Sequence, residues 1–129
     1  MAYAPVIKVL RNMHSAFDHG AATLAYSANQ WTSPSVGKIY AFRDLESALS
    51  WAVDFPGTSL WEATAEVITA EDCMVCTNVH CDLWVFWKWY SLLLNREVYV
   101  LPGWIAAAST PSGTVLCNRL MIIKKLKDM

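Results

Sequence analysis

The segment GKIYAFRDLESALSWAVDFPGTSLWEATAEV, residues 37 to 67, changes its hydrophobic period twice. IYAF places four apolar residues in succession, the pattern of a strand covered on both faces. Asp44 then stands where a helix N-cap belongs, with Glu46 favourably placed in the first turn. Leu45, Ala48, Leu49 and Ala52 follow at helical spacing. DFPG ends that helix, because Pro56 cannot continue it and Gly57 suits a turn. In SLWEATAEVI the residues Trp61, Ala63, Ala65 and Val67 alternate with Glu62, Thr64 and Glu66. That alternation predicts a half-buried strand with one wet face. The unit reads as scaffold, and it ties the chain to architectures in which a sheet and a helix share a core.

The rest of the chain is less regular. PVIKVL, residues 5 to 10, predicts the first strand. Residues 11 to 36 have no clean period and read as an irregular excursion with a helical turn around Ala21 to Ala28. LWVFWKWYSLLL, residues 83 to 94, is apolar all round, so periodicity fits a strand and a helix almost equally. EVYVL predicts a strand. STPSGTVL predicts a turn leading into the strand TVLCNRLMIIKKL, with a break near Asn118. Neither an internal repeat nor a linker divides the sequence, so residues 1–129 are expected to form a single domain. The fold class expected is α+β: a curled, mostly antiparallel or mixed sheet with one or two helices packed on it.

Composition narrows the function classes. With 55% hydrophobic and 16% charged residues the chain is too apolar to be disordered. A net charge of −1 leaves neither a basic stripe for nucleic acid nor an acidic surface imitating it. The cluster Lys124 to Lys127 reads as a short solvated tail, so nucleic acid is not expected as a partner. The apolar block at 83 to 94 is interrupted by Lys88 and falls short of the roughly 20 residues a spanning helix needs. No basic-then-apolar leader opens the sequence. A cytoplasmic protein off the membrane, with its four cysteines as reduced thiols, is the expectation.

Seven tryptophans are more than a core this small is expected to bury. Tyr26, Trp31, Trp84, Trp87 and Trp104 lie in the irregular segments and the aromatic block. They are the candidates for an exposed partner-binding surface, because rigid aromatic side chains make strong interface anchors.

Three polar constellations could carry chemistry. In CMVCTNVHC, Cys73 and Cys76 have the spacing of a tetrahedral zinc site, which His80, Cys81 or Cys117 could complete. A single Cys pair is weak support for zinc, and buried structural thiols explain the same residues. His14, Asp18 and His19 could bind a metal or pair a base with its orienter, but no third ligand or nucleophile follows at a recognisable spacing. Glu62 and Glu66 on one strand face are expected to solvate that face. Phosphate-binding loops, G-x-S-x-G and H-E-x-x-H are absent, so no cofactor and no catalytic residue is assigned.

Two resemblances add expectations. The order of IYAF, DLESALSWA and LWEATAEV resembles the central unit of ADP-ribosyltransferase-like domains. That likeness implies a nucleotide-binding or ADP-ribosyl-transferring protein, with Arg11 in the first-strand position and Tyr40 in the second. Glu62 or Glu66 would then converge with them on a pocket. Those domains use a late catalytic Glu, and GTVLCNRLMIIKKL departs from the pattern by having none. The pieces IKVLR, WTSP, IYAF, LWEA and PSGTVL together resemble small phage- and prophage-encoded proteins of unknown function. From that likeness the leading expectation is a phage or mobile-element accessory protein, acting in the host cytoplasm. It would bind a host protein or protein complex and inhibit a defence or regulatory assembly. Homo-oligomerisation is left open.

Overall fold

The computed structural model describes residues 2–16, 24–69, 73–76 and 83–129. In chain order these form strands β1 (Ala2–Arg11), β2 (His14–Ser15), β3 (Trp31–Thr32) and β4 (Ile39–Phe42), then helix α1 (Leu45–Ala52). Strands β5 (Ser59–Thr69) and β6 (Met74–Cys76), helix α2 (Leu83–Leu94), and strands β7 (Ala107–Ser109) and β8 (Thr114–Asp128) follow. Every strand pair is antiparallel. The architecture is α+β, a curled antiparallel sheet with both of these helices packed on it.

The curl is nearly a closure. β5 pairs with β1 from Ala2↔Val67 to Leu10↔Ser59, and along its other edge with β8 from Ser59↔Asp128 to Thr69↔Leu116. β8 pairs in turn with β4, and β4 returns to β1 at the single position Ile7↔Phe42. The short strands β2 and β3 extend β1 and β8. Register shifts along β5 and β8 supply the bending, since each extra residue increases local twist. One of them falls at Asn118: Glu66 faces Arg119 and Val67 faces Cys117, so Asn118 has no residue opposite it. The expected break is therefore a bulge within a continuous strand. It also switches faces, which is why Val115 and Cys117 share the interior with Leu120 and Ile122.

Among the described residues, buried side chains form three clusters. The concave interior holds Val6, Leu10, Tyr26, Ile39, Ala41, Ala63 and Ala65 against that β8 set. α1 covers part of the outer face, burying Ala48 and Ala52 on Val9, Phe42 and Leu60. Its N-cap is as predicted, with the Ser47 backbone N–H donating to Asp44 Oδ1 at 2.7 Å. α2 covers another part, with Phe86, Trp87 and Tyr90 on Leu116.

The block at 83 to 94 is a helix because its burial is helical. Phe86, Trp87 and Tyr90 are buried together, whereas Trp84 and Lys88, one turn apart, are exposed. A strand would have separated Phe86 from Trp87. The strand expected at EVYVL does not form. Arg96 adopts a left-handed φ of +59°, and the N–H groups of Arg96 and Glu97 donate to the carbonyls of Leu93 and Leu92. This Schellman cap spends the segment's first donors on closing α2, and Tyr99 and Val100 are left 89% and 76% exposed. The helical turn expected at 21 to 28 is also corrected over its described part. Ala25 forms a bridge to His14, and Tyr26 donates its N–H to Met13; residues 21 to 23 lie outside the described residues.

Gly37 sets the approach of α2. It has a φ of +71°, and a Cβ there would lie 2.2 Å from Cε2 of Trp87. Gly37→Ala therefore combines a left-handed alanine with an overpacked ring. Chemical denaturation should show a loss of about 2–4 kcal/mol; a loss under about 0.5 kcal/mol would show that Trp87 does not seat on this turn.

Candidate functional site

The structure presents two polar assemblies, one on the outer sheet face and one inside. The outer one follows from register. Tyr3 of β1 stands opposite Glu66 of β5, and Glu66 stands opposite Arg119 of β8. Trp31 of β3, paired to β8 at Met121, adds an aromatic ring to this row. The Arg119 guanidinium lies 4.3 Å from the Trp31 ring centroid and 5.5 Å from that of Tyr3. The two rings are 5.7 Å apart and tilted by 55°.

Below the rings a hydrogen-bond chain fixes the arginine. Arg119 Nε donates to Glu66 Oε2 at 3.2 Å, and its terminal nitrogen donates to the Tyr3 hydroxyl. Asn118 donates to Glu66 Oε1 at 2.8 Å, and Lys38 Nζ donates to Asn118 Oδ1 at 2.7 Å. The Asn118 hydrogen bond foremost, with Arg119, holds the Glu66 carboxyl below the usual carboxylate range. Arg119 is held above its ordinary value, chiefly by Tyr3 and then by Glu66. Glu66 is 7% exposed, which corrects the expectation that it solvates an open face: the Tyr3 and Arg119 side chains lie over it.

The candidate aromatics divide. Trp31, Trp84 and Trp104 are 40%, 67% and 69% exposed, while Tyr26 and Trp87 are 3% and 7% exposed and leave the surface set. Tyr26 fills the concave interior, and Trp87 stacks on Tyr90 under α2.

Arg11, Tyr40, Glu62 and Glu66 do not converge. Arg11 adjoins the Leu10↔Ser59 pair, whereas Glu66 faces Tyr3 at the other end of β1. Eight strand residues separate these ends, roughly 26 Å. The Tyr40 hydroxyl donates to the Met74 carbonyl beneath α2, and Glu62 borders a shallow recess with Arg43 and Lys124.

Cys76 is disulfide-bonded, whereas Cys73 and Cys117 are buried thiols outside any disulfide, which corrects the expectation of four reduced thiols. A disulfide sulfur is not a thiolate ligand, so the zinc set loses Cys76; His80 and Cys81 lie outside the described residues. His14 is exposed, with Nδ1 donating to the Asn12 carbonyl, and Asp18 and His19 lie outside the described residues. Among the described residues no group of three His, Cys, Asp or Glu could hold a metal, and no helix is long and apolar enough to cross a membrane.

The inner assembly gathers Tyr26, Tyr40 and Cys117, expected in three different sites, around Lys8. β1 and β4 share one ladder pair, Ile7↔Phe42, and next to it Lys8, Val9, Tyr40, Ala41 and Phe42 line a hollow of about 120 Å³. Lys8 lies in it, 8% exposed, with Nζ donating to the Tyr40 carbonyl at 2.6 Å and sitting 5.6 Å from the Tyr26 ring centroid. Burial pulls the Lys8 ammonium from 10.5 down to about 8, opposed weakly by the Cys117 thiol. The same burial pushes Cys117 up to about 12 and raises Tyr26. One signal in the sequence pointed here: Lys8 shares its strand parity with Val6 and Leu10, a charge on the apolar face of PVIKVL.

No family model, curated protein or solved structure matches the chain. The two family resemblances therefore rest on the short motifs quoted for them.

Lys8 gives a pH dependence of known sign. Below pH 8 both folded and unfolded chains hold its proton, and the full penalty of burying the charge acts on the fold. Between pH 8 and 10.5 the folded chain has released that proton and the unfolded chain has not, so stability rises with pH. Cys117 opposes this above its ordinary value of 9.0, so the parent is compared with Lys8→Met to cancel the other groups. Urea denaturation across this window should show the difference moving in the parent's favour by about 2–3 kcal/mol. A flat difference would mean that Lys8 is solvated.

Proposed function

We propose that this chain is a protein-binding module whose principal anchor is the Tyr3–Trp31–Arg119 cluster. The observation that supports it most is the conjunction of exposure and fixation. Trp31 and Tyr3 are 40% and 51% exposed, yet the guanidinium packed against both rings is held by Glu66 and the Tyr3 hydroxyl. Trp, Tyr and Arg are the side chains that dominate binding energy in protein interfaces. Restraint before contact lowers the side-chain entropy lost on association. Trp84 and Trp104 supply further exposed aromatic surface at α2 and the loop after it.

The partner class we propose is a host protein or protein complex, with inhibition of a defence or regulatory assembly as the outcome. This follows the resemblance to small phage-encoded proteins. The ADP-ribosyltransferase-like reading has no comparable support, since Arg11, Tyr40 and the two glutamates are dispersed.

Cross-linking in extract of a bacterial host, followed by mass spectrometry, identifies the partner for affinity measurement. Trp31→Ala and Arg119→Ala should each weaken binding by about 30-fold or more, and Lys88→Ala by less than about twofold. Unchanged affinity for both cluster variants, with the fold intact by circular dichroism, would remove the cluster as the anchor.

A further inference from the structure

The hollow lined by Lys8 and Tyr26 plays no part in the protein-binding proposal, and it has the composition of a ligand site. Its walls are mostly apolar, with Trp51, Phe86 and Trp87 among them. Lys8 brings three N–H donors, and among the described residues the Tyr40 carbonyl is the one acceptor bonded to them. The ion pairs among the described residues are Arg43–Asp44, Arg119–Glu66 and Lys125–Asp128, so no carboxylate pairs with Lys8 there. Tyr26 lines the same hollow at 3% exposure, and its hydroxyl is a buried polar atom without a hydrogen-bond partner among the described residues. The Ser15 hydroxyl lies close enough to Tyr26 to oppose the effect of burial on it, and it is also engaged with the backbone of Leu24. A buried cation and a buried hydroxyl are thus both short of an acceptor in one place, where native structures ordinarily supply one.

We propose that the hollow binds a small monocarboxylic acid with an apolar body, its carboxylate accepting hydrogen bonds from the Lys8 ammonium and the Tyr26 hydroxyl. A carboxylate is acceptor-only and carries one negative charge, matching the one buried positive charge. A phosphate dianion would bring excess charge and more acceptor sites than these two side chains serve. A neutral apolar molecule would leave both polar groups as they are. The volume sets the size of the body. An engineered apolar cavity of about 150 Å³ accommodates benzene, so a hollow of about 120 Å³ suits one ring or a short branched chain.

Sodium benzoate is the probe, titrated into the purified chain and followed by calorimetry and by side-chain NMR shifts. Saturable binding with a Kd below about 1 mM is expected, with benzyl alcohol and inorganic phosphate at least tenfold weaker. Lys8→Met should weaken benzoate at least tenfold and Tyr26→Phe about threefold. The benzyl alcohol comparison uses the unaltered chain, and Tyr26→Phe removes one oxygen only, so the test stands if Lys8→Met fails to fold. Absence of saturation at about 10 mM benzoate, or equal affinity for benzyl alcohol, would overturn the assignment. So would reductive trapping of benzaldehyde on Lys8 without benzoate binding, which would make the lysine a carbonyl-reactive amine.

Discussion

The arrangement depends on β5 having a hydrogen-bonded partner along each edge. β1 pairs along one side and β8 along the other, so the backbone of Ser59–Thr69 is held in register from both directions. A slip of one residue would turn Ala63 and Ala65 outward and carry Glu62, Thr64 and Glu66 into the interior. The alternation that marks this strand in the sequence is thus what forbids the alternative pairing. The bulges between β5 and β8 then bend the flanking strands toward each other until β4 meets β1.

That closure produces an inside and an outside with different chemistry. Inside, the alanines at 41, 63 and 65 are small, and the stem of Lys8 enters from the β1 wall. Outside, the same ladders carry Tyr3, Glu66 and Arg119 side by side, and β3 sets Trp31 against them. The bulge at Asn118 serves both faces. It restores the inward direction of Leu120 and Ile122, and it places an amide that bonds Glu66 beneath the arginine. Scaffold and surface are therefore coupled through one irregular residue.

What the sequence disclosed was what local physics decides. Asp44, Ala48 and Ala52 fix α1 through a cap and a period, and the alternation from Trp61 to Val67 fixes β5. The α2 block was ambiguous because Lys88 and Ser91 are the polar contrast among its twelve residues, and the burial of Phe86 beside Trp87 distinguishes helix from strand. EVYVL misled because β-propensity at Val98, Tyr99 and Val100 does not create a strand without an edge to pair with. Glu66 was legible as a polar strand residue, but its burial depends on Tyr3 and Arg119, which are 63 and 53 positions away in sequence. Lys8 was visible as a charge in an apolar run. That its ammonium stays inside follows from strand pairings no local pattern encodes.

In this fold the closing sheet encloses a charged side chain. The most direct measurement is an NMR titration of Lys8 itself, following the carbon next to its nitrogen in a selectively assigned sample. A midpoint near pH 8 would match an ammonium held among apolar walls by the Tyr40 carbonyl. A midpoint at the ordinary lysine value of 10.5 would place the nitrogen in water and contradict the closure.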